Sequence, residues 1–219
     1  MAHLDLEEQE QLDQLKHFWR RYGNLVTWTL VLVLTAYAAW NGWQAWQRNQ
    51  AAAASGMYAE LERAALAGDA DRAGKVFADL KDKYPRTTFA EQGGLLAAKA
   101  QLDKGQRDAG RASLGWVAEQ AGEAEYRAIA RLRLAAVLLD DKKPDEALKQ
   151  LAGDFPKSFQ ALAADRRGDA LQAQGKPAEA VTAYQEAYKA LDERLDYRRV
   201  VDAKLMALGA ATAASGAGQ

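Results

Sequence analysis

Residues 22–47 contain no charged side chain. They read YGNLVTWTLVLVLTAYAAWNGWQAWQ, with Arg20-Arg21 in front and Arg48 at the far end. The apolar centre runs from Leu25 to Trp40, interrupted only by Thr27, Thr29 and Thr35. A helix of about 26 residues at roughly 1.5 Å each reaches about 39 Å, and about 20 apolar residues are enough to cross a bilayer core. In lipid every backbone N–H and C=O must be satisfied inside the segment, so the stretch is predicted to be one α-helix. Trp19 and Tyr22 stand before it, and Tyr37, Trp40, Trp43 and Trp46 stand in its second half. Such rings favour the headgroup level. Leu25, Trp28, Leu32, Tyr37, Trp40, Trp43 and Trp46 are the expected anchor residues in the lipid bilayer.

Charge on the flanks gives a direction. Lys16, Arg20 and Arg21 lie before the span; after Arg48 nothing basic occurs until Arg63. The positive-inside rule then puts residues 1–21 in the cytoplasm as a tail and the chain from residue 48 across the membrane, in the periplasm of a bacterium. The rival is a cleaved signal peptide, with Ala51-Ala52-Ala53 as a small-residue cleavage site. Against it stand an acidic leading region (Asp5, Glu7, Glu8, Glu10, Asp13) and an apolar run longer than the roughly 7–15 residues of a signal h-region. A buried core helix fits less well, because about 26 positions without charge leave no wet face.

The chain has 219 residues, room for one anchor and one domain of about 160 residues. Cysteine is absent, so an exported domain gains no disulfide, and the lipid-carrying cysteine of a lipoprotein is missing. A net charge of −1 argues against a nucleic-acid partner. After residue 50 the helix formers Ala, Leu, Lys, Glu, Arg and Gln dominate, and no strand-like alternation occurs. The fold class is therefore all-α.

Four short turns recur: GDADRA (68–73), GQRDAG (105–110), KKPDEA (142–147) and GKPAEA (175–180). Their starts lie 37, 37 and 33 residues apart, and a period in this range points to stacked helix–turn–helix units. Seven residues before the last three turns stand Ala98, Ala135 and Gly168; five after each turn start stand Ala73, Gly110, Ala147 and Ala180. Nine after each turn start stand Phe77, Leu114, Leu151 and Tyr184. Two antiparallel helices approach closely only where side chains are small, and a bulky residue further on plugs the gap to the next unit. This is the tetratricopeptide (TPR) order, in degenerate form. Gly94, Arg131 and Ala164 occupy the place of its early aromatic, and Leu61 stands where a small residue is expected. Ala178 and Ala183 lie off the small column, so bulky residues there are expected to be milder than at Ala147. The predicted helices are 70–83, 87–104, 107–120, 124–140, 144–152, 158–174, 177–193 and 196–208, with 51–67 continuing the anchor helix. The TPR-like domain spans 48–208, and the small, polar 209–219 is expected to be a disordered tail.

Chemistry is sparse. Both histidines, His3 and His17, precede the anchor. The domain after it thus has neither the Ser-His or Cys-His pair of a nucleophilic enzyme nor the ligands of an ordinary zinc site. Asp140-Asp141 and Glu123/Glu125 fall at helix ends, where solvated caps are the ordinary role. No enzyme, cofactor, metal or small-molecule substrate is predicted. The first helices of such units line a concave side, which offers Lys99, Asp103, Asp165, Asp169 and Gln172 as candidate partner-binding residues, with Leu102, Ile129, Leu132, Leu139 and Leu162 between them. Capture of a peptide or partner helix fits that mixture. Core leucines with solvated charges fit it equally.

The acidic tail, the Arg-flanked and Trp-rich anchor, the degenerate repeat, and the stretches LRLA (132–135), ADRRGDALQAQGK (164–176) and VVDAKLMAL (200–208) together resemble the YfgM family. The resemblance covers nearly the whole chain. It implies a single-pass inner-membrane protein that is an ancillary subunit of the SecYEG translocon. It also implies association with PpiD, a membrane-anchored chaperone, which would link translocation to periplasmic chaperones. The family brings no catalytic residues, and a cytoplasmic link to stress signalling is attached to it. An envelope-assembly scaffold, serving cell-wall or outer-membrane machinery, is the alternative. A scaffold of that kind usually begins with a coiled coil or a lipid-anchored cysteine, and neither feature is present.

Overall fold

The computed structural model describes residues 6–210, and among these every regular element is helical. Helix α1 spans Leu6–Leu66, so the Ala-rich stretch after the apolar run continues the helix as expected. It is followed by α2 (Ala70–Lys83), α3 (Thr88–Asp103), α4 (Arg107–Gln120), α5 (Ala124–Asp140) and α6 (Pro144–Leu151). A single 3-10 turn, Lys157–Phe159, leads into α7 (Gln160–Ala173), α8 (Pro177–Ala190) and α9 (Asp196–Ala207). The chain divides into two compact units, residues 1–50 and 51–219.

In the first unit, α1 is exposed almost all round: Leu25, Trp28, Leu32, Tyr37, Trp40, Trp43 and Trp46 are all exposed. Its polar side chains turn inward on their own backbone. The hydroxyls of Thr27, Thr29 and Thr35 donate to the carbonyls of Gly23, Leu25 and Val31, each at 2.8 Å, and the Asn41 amide donates to the Tyr37 carbonyl at 3.1 Å. Such back-bonding is what an apolar solvent demands of a polar group. This helix is long and apolar enough to cross a membrane.

The second unit is a run of antiparallel helix pairs. Each predicted turn begins with a residue in the left-handed region: Gly68 (φ 69°), Gly105 (75°), Lys142 (61°) and Gly175 (76°). The two amides that start each turn reach back to close the helix before it. At the second turn, Gly105 N–H donates to Leu102 O at 2.9 Å and Gln106 N–H to Gln101 O at 2.8 Å. This pair of bonds is the Schellman closure, which satisfies carbonyls that a helix end leaves open. Pro144 and Pro177 then sit in the first turn of α6 and α8, where no N–H is needed. A fifth closure occurs at Gly209 (φ 73°), with Ala210 N–H donating to Leu205 O at 3.0 Å. Gly209 and Ala210, assigned to the tail from the sequence, are therefore the cap of α9; residues 211–219 of that tail lie outside the described residues.

Both predicted columns are internal. Ala73, Gly110, Ala147 and Ala180 are buried, as are Ala98, Ala135 and Gly168 opposite them. Phe77, Leu114, Leu151 and Tyr184 are buried as the plugs. A methyl group on Gly110 would lie 2.6 Å from Leu102 Cγ, and one on Gly168 would meet the Tyr184 ring at 2.5 Å. The departures from the repeat are compensated locally. Leu61 fills its column fully buried because α3 offers Gly93 there, where a Cβ would lie 2.7 Å from Leu80 and 3.5 Å from Leu61. Gly94, in place of the early aromatic, admits the ring of Phe77 from α2, which stacks edge-on to Trp116 at 5.4 Å. Ala183 is buried rather than free to take bulk, whereas Ala178 is exposed.

Two stability outcomes follow from this packing. Ala147→Phe should overpack the α5–α6 contact and lower stability by about 1–3 kcal/mol, with Ala178→Phe near neutral. Equal melting temperatures would refute the register. Lys142→Gly should raise stability by about 0.5–1 kcal/mol, because it removes a Cβ from a left-handed residue. Thermal melting of residues 48–219 measures both.

Candidate partner-binding surface

The five candidate residues do not share one environment. Lys99 and Asp103 sit one turn apart on the outer face of α3 and pair with each other at 2.5 Å, both side chains well exposed. Gln172 is exposed on α7, with its Oε1 3.1 Å from the Tyr184 hydroxyl oxygen. Asp165 is not on a free surface. It is fully buried, which corrects its assignment as a solvent-facing contact. Asp169 is half-buried beside it.

The reason is α9, which packs across the unit and brings a cation to both carboxylates. Lys204 Nζ donates to Asp165 Oδ1 at 2.8 Å, to Asp165 Oδ2 at 3.0 Å and to Asp169 Oδ1 at 2.6 Å. The Tyr197 hydroxyl donates to Asp165 Oδ2 at 2.6 Å, and the Tyr184 hydroxyl to Asp169 Oδ1 at 2.8 Å. Burial, and then these carboxylates, push both phenols above their ordinary range. The sign is fixed: the folded state holds the phenol protons more tightly, so the network is intact at neutral pH. Its contribution falls only as pH rises past about 10, the ordinary phenol value. The helix period shows where the two charges stand, though not that they meet. Lys204 lies on the α9 face of Val201 and Leu205, and Asp165 on the α7 face of Ala161 and Gly168, so both charges stand on buried stripes.

Two other polar sets join neighbouring helix pairs within residues 51–219. Asp141 is only 15% exposed rather than solvated, and it is gripped by Arg107 Nε at 2.5 Å and Arg111 at 2.8 Å. Arg131, in the slot of the early aromatic, places its guanidinium 3.9 Å from the Phe155 ring centre. It donates to the carbonyls of Gln150 (2.8 Å), Asp154 (3.0 Å) and Ala152. It thereby closes the C-terminal end of the short α6, and desolvation lowers its pKa. Leu102, Ile129, Leu132 and Leu139 are half-buried against the main core and Leu162 is half-buried on α7, so they serve packing as well as surface.

Truncation should separate these groups. Asp165→Ala takes two of the three carboxylate contacts of Lys204 and the acceptor of Tyr197, and should lower stability by about 3 kcal/mol. Lys99→Ala and Asp103→Ala should each change it by less than about 0.5 kcal/mol. Chemical denaturation of residues 48–219 gives the comparison, and equal losses would remove the distinction.

The chain matches the family model described as "Tetratricopeptide repeat-like domain" over residues 16–210. A curated Neisseria gonorrhoeae protein named "Ancillary SecYEG translocon subunit" is 29% identical over 93% of this chain and 98% of its own length. Proteins of the same name from Escherichia coli and Haemophilus influenzae are each 27% identical over 83% of this chain, covering 87% and 89% of theirs. These are the relatives that the resemblance to the YfgM family anticipated, and with the family model spanning all the helices from the anchor to α9, the chain belongs to the tetratricopeptide repeat-like domain family.

Proposed function

We propose that this protein is a non-enzymatic ancillary subunit of the SecYEG translocon that links translocation to periplasmic chaperones through contacts of its TPR-like domain. The observation that carries the reading is end-to-end similarity to a translocon subunit, over 93% of this chain and 98% of that one. Two features support it. An apolar helix before a solenoid suits a protein held beside a membrane machine. The described residues are dominated by helix–helix packing and ion pairs that serve stability, while Lys99, Asp103 and Gln172 stay exposed for a partner. In this reading residues 22–47 anchor the chain in the inner membrane, residues 1–21 are cytoplasmic, and residues 48–208 are periplasmic. A membrane-anchored chaperone of the PpiD class is the expected partner. Two anchored proteins sharing one bilayer raise each other's effective concentration, so the domain contact itself is weak.

Full-length protein purified in mild detergent should therefore retain SecYEG and a PpiD-type chaperone, while the fragment 48–219 should bind the chaperone poorly at micromolar concentration. Alkaline phosphatase fused after residue 60 should be active. Recovery of cell-wall or outer-membrane assembly proteins in place of SecYEG would replace this reading with the scaffold.

A further inference from the structure

Every cation on α3, α5 and α7 is engaged, with one exception. Lys99 and Arg166 pair with Asp103 and Asp169, Arg167 pairs with Glu186, and Arg127 and Arg131 donate to backbone carbonyls. Arg133 is exposed and has neither an ion pair nor a hydrogen bond among the described residues. It does not stand on a polar face. Ile129, Leu132, Arg133 and Ala136 recur at i, i+3, i+4 and i+7, one side of α5, and the three apolar members are half-buried. α5 packs beside both α3 and α7. Two residues before the small column, Leu96 on α3 and Arg166 on α7 hold the place of Arg133, and Leu162 on α7 holds that of Ile129. Leu96 and Leu162 are half-buried as well. The face thus continues over three first helices as apolar surface with one unanswered positive charge at its middle.

That charge lies on the apolar face itself, so it selects what can cover the face. The acids on the same side of α5, Glu125 and Asp140, are eight and seven residues away, a helical rise of about 12 and 10 Å. Both distances exceed the screening length of about 8 Å at physiological salt, so neither acid answers Arg133. A wholly apolar segment would bury the guanidinium unpaired, which is strongly unfavourable. A second copy of this chain, joined by a two-fold axis through this face, would set Arg133 against its own counterpart. An anionic leaflet would meet Glu125 and Asp140 along with Arg133. A segment that brings one carboxylate among apolar side chains meets none of these objections, and a guanidinium pairs with a carboxylate through two parallel hydrogen bonds.

We propose that this face of α3, α5 and α7 binds an apolar segment of a partner protein that carries one aspartate or glutamate side chain. The carboxylate sits on Arg133, and the apolar residues beside it lie against Ile129, Leu132 and Leu162. The inference rests on residues 48–208 being the partner-binding part of the chain, and it names what that part recognises.

The test uses the full-length protein in living cells. The photo-crosslinking amino acid p-benzoylphenylalanine replaces Leu162 or, as a control, Gln185, which is exposed on α8. The expected result is a protein adduct from position 162 and none from position 185, with the crosslinked peptide apolar and carrying an Asp or Glu close to the crosslink. Arg133→Glu should cut that adduct about tenfold, and Arg133→Gln should cut it less. Neither should lower the melting temperature, because Arg133 holds nothing in place. Changing the partner's acid to lysine should restore the adduct of the Arg133→Glu variant. An adduct indifferent to both substitutions overturns the proposal, and so do equal adducts from positions 162 and 185. A crosslink to the partner's last residue does so in favour of a chain-end carboxylate, a crosslink to this chain in favour of a second copy, and a crosslink to phospholipid in favour of the bilayer. No adduct from position 162, with SecYEG still retained by the purified full-length protein, defeats this inference alone. A charge-dependent adduct with SecYEG lost leaves the recognition standing and removes the translocon reading.

Discussion

Every helix pair after residue 50 depends on the removal of side-chain bulk where two backbones approach. Gly93, Gly94, Gly110 and Gly168 each face a large side chain at a distance that leaves no room for a Cβ without displacement. Ala73, Ala98, Ala135, Ala147 and Ala180 do the same with one methyl. The large partners Leu61, Phe77, Leu114, Leu151 and Tyr184 gain their burial only because of these absences. Interiors pack at crystal-like density, so a single methylene in such a place must be answered by movement elsewhere. The solenoid is a series of these small-against-large exchanges.

Several polar contacts join one helix pair to the next. Gln106 donates to Asp71 at 2.7 Å, Arg107 to Asp141 at 2.5 Å, and Lys204 to Asp165 and Asp169. In each case the partners lie about one repeat apart. Charge pairs of this kind add little net stability when exposed and enforce pairing when buried, because an unpaired buried charge is strongly unfavourable. The Lys204 cluster thus specifies where α9 seats. Arg131 plays a related part: a guanidinium with several donors closes a helix end that was cut short at Leu151.

The anchor unit follows a different rule. Its hydroxyls and amide bond to their own helix, and its rings face outward. In the second unit, by contrast, rings such as Phe77 and Tyr184 are buried as plugs.

Local chemistry was enough to read the helices and turns. Glycine at 68, 105 and 175 and proline at 144 and 177 mark helix stops and starts by backbone geometry alone, and the small and large columns are visible by counting. The uncharged run likewise declares itself by length. The fate of individual charges was not legible to the same degree. Asp103 and Asp165 look alike in sequence, each on a helix among alanines and leucines, yet one is solvated and the other is sealed under Lys204 and Tyr197. Asp141 looked like a cap and is a clamp for two arginines. The difference arises because a helix's buried stripe is set by all the helices packed against it. α9 reaches α7 across a separation of 32 to 39 residues, and no period within α7 announces what will cover it. Repetition along the chain determined the solenoid, whereas the side chains that meet from distant units decided which of its charges remain available to a partner.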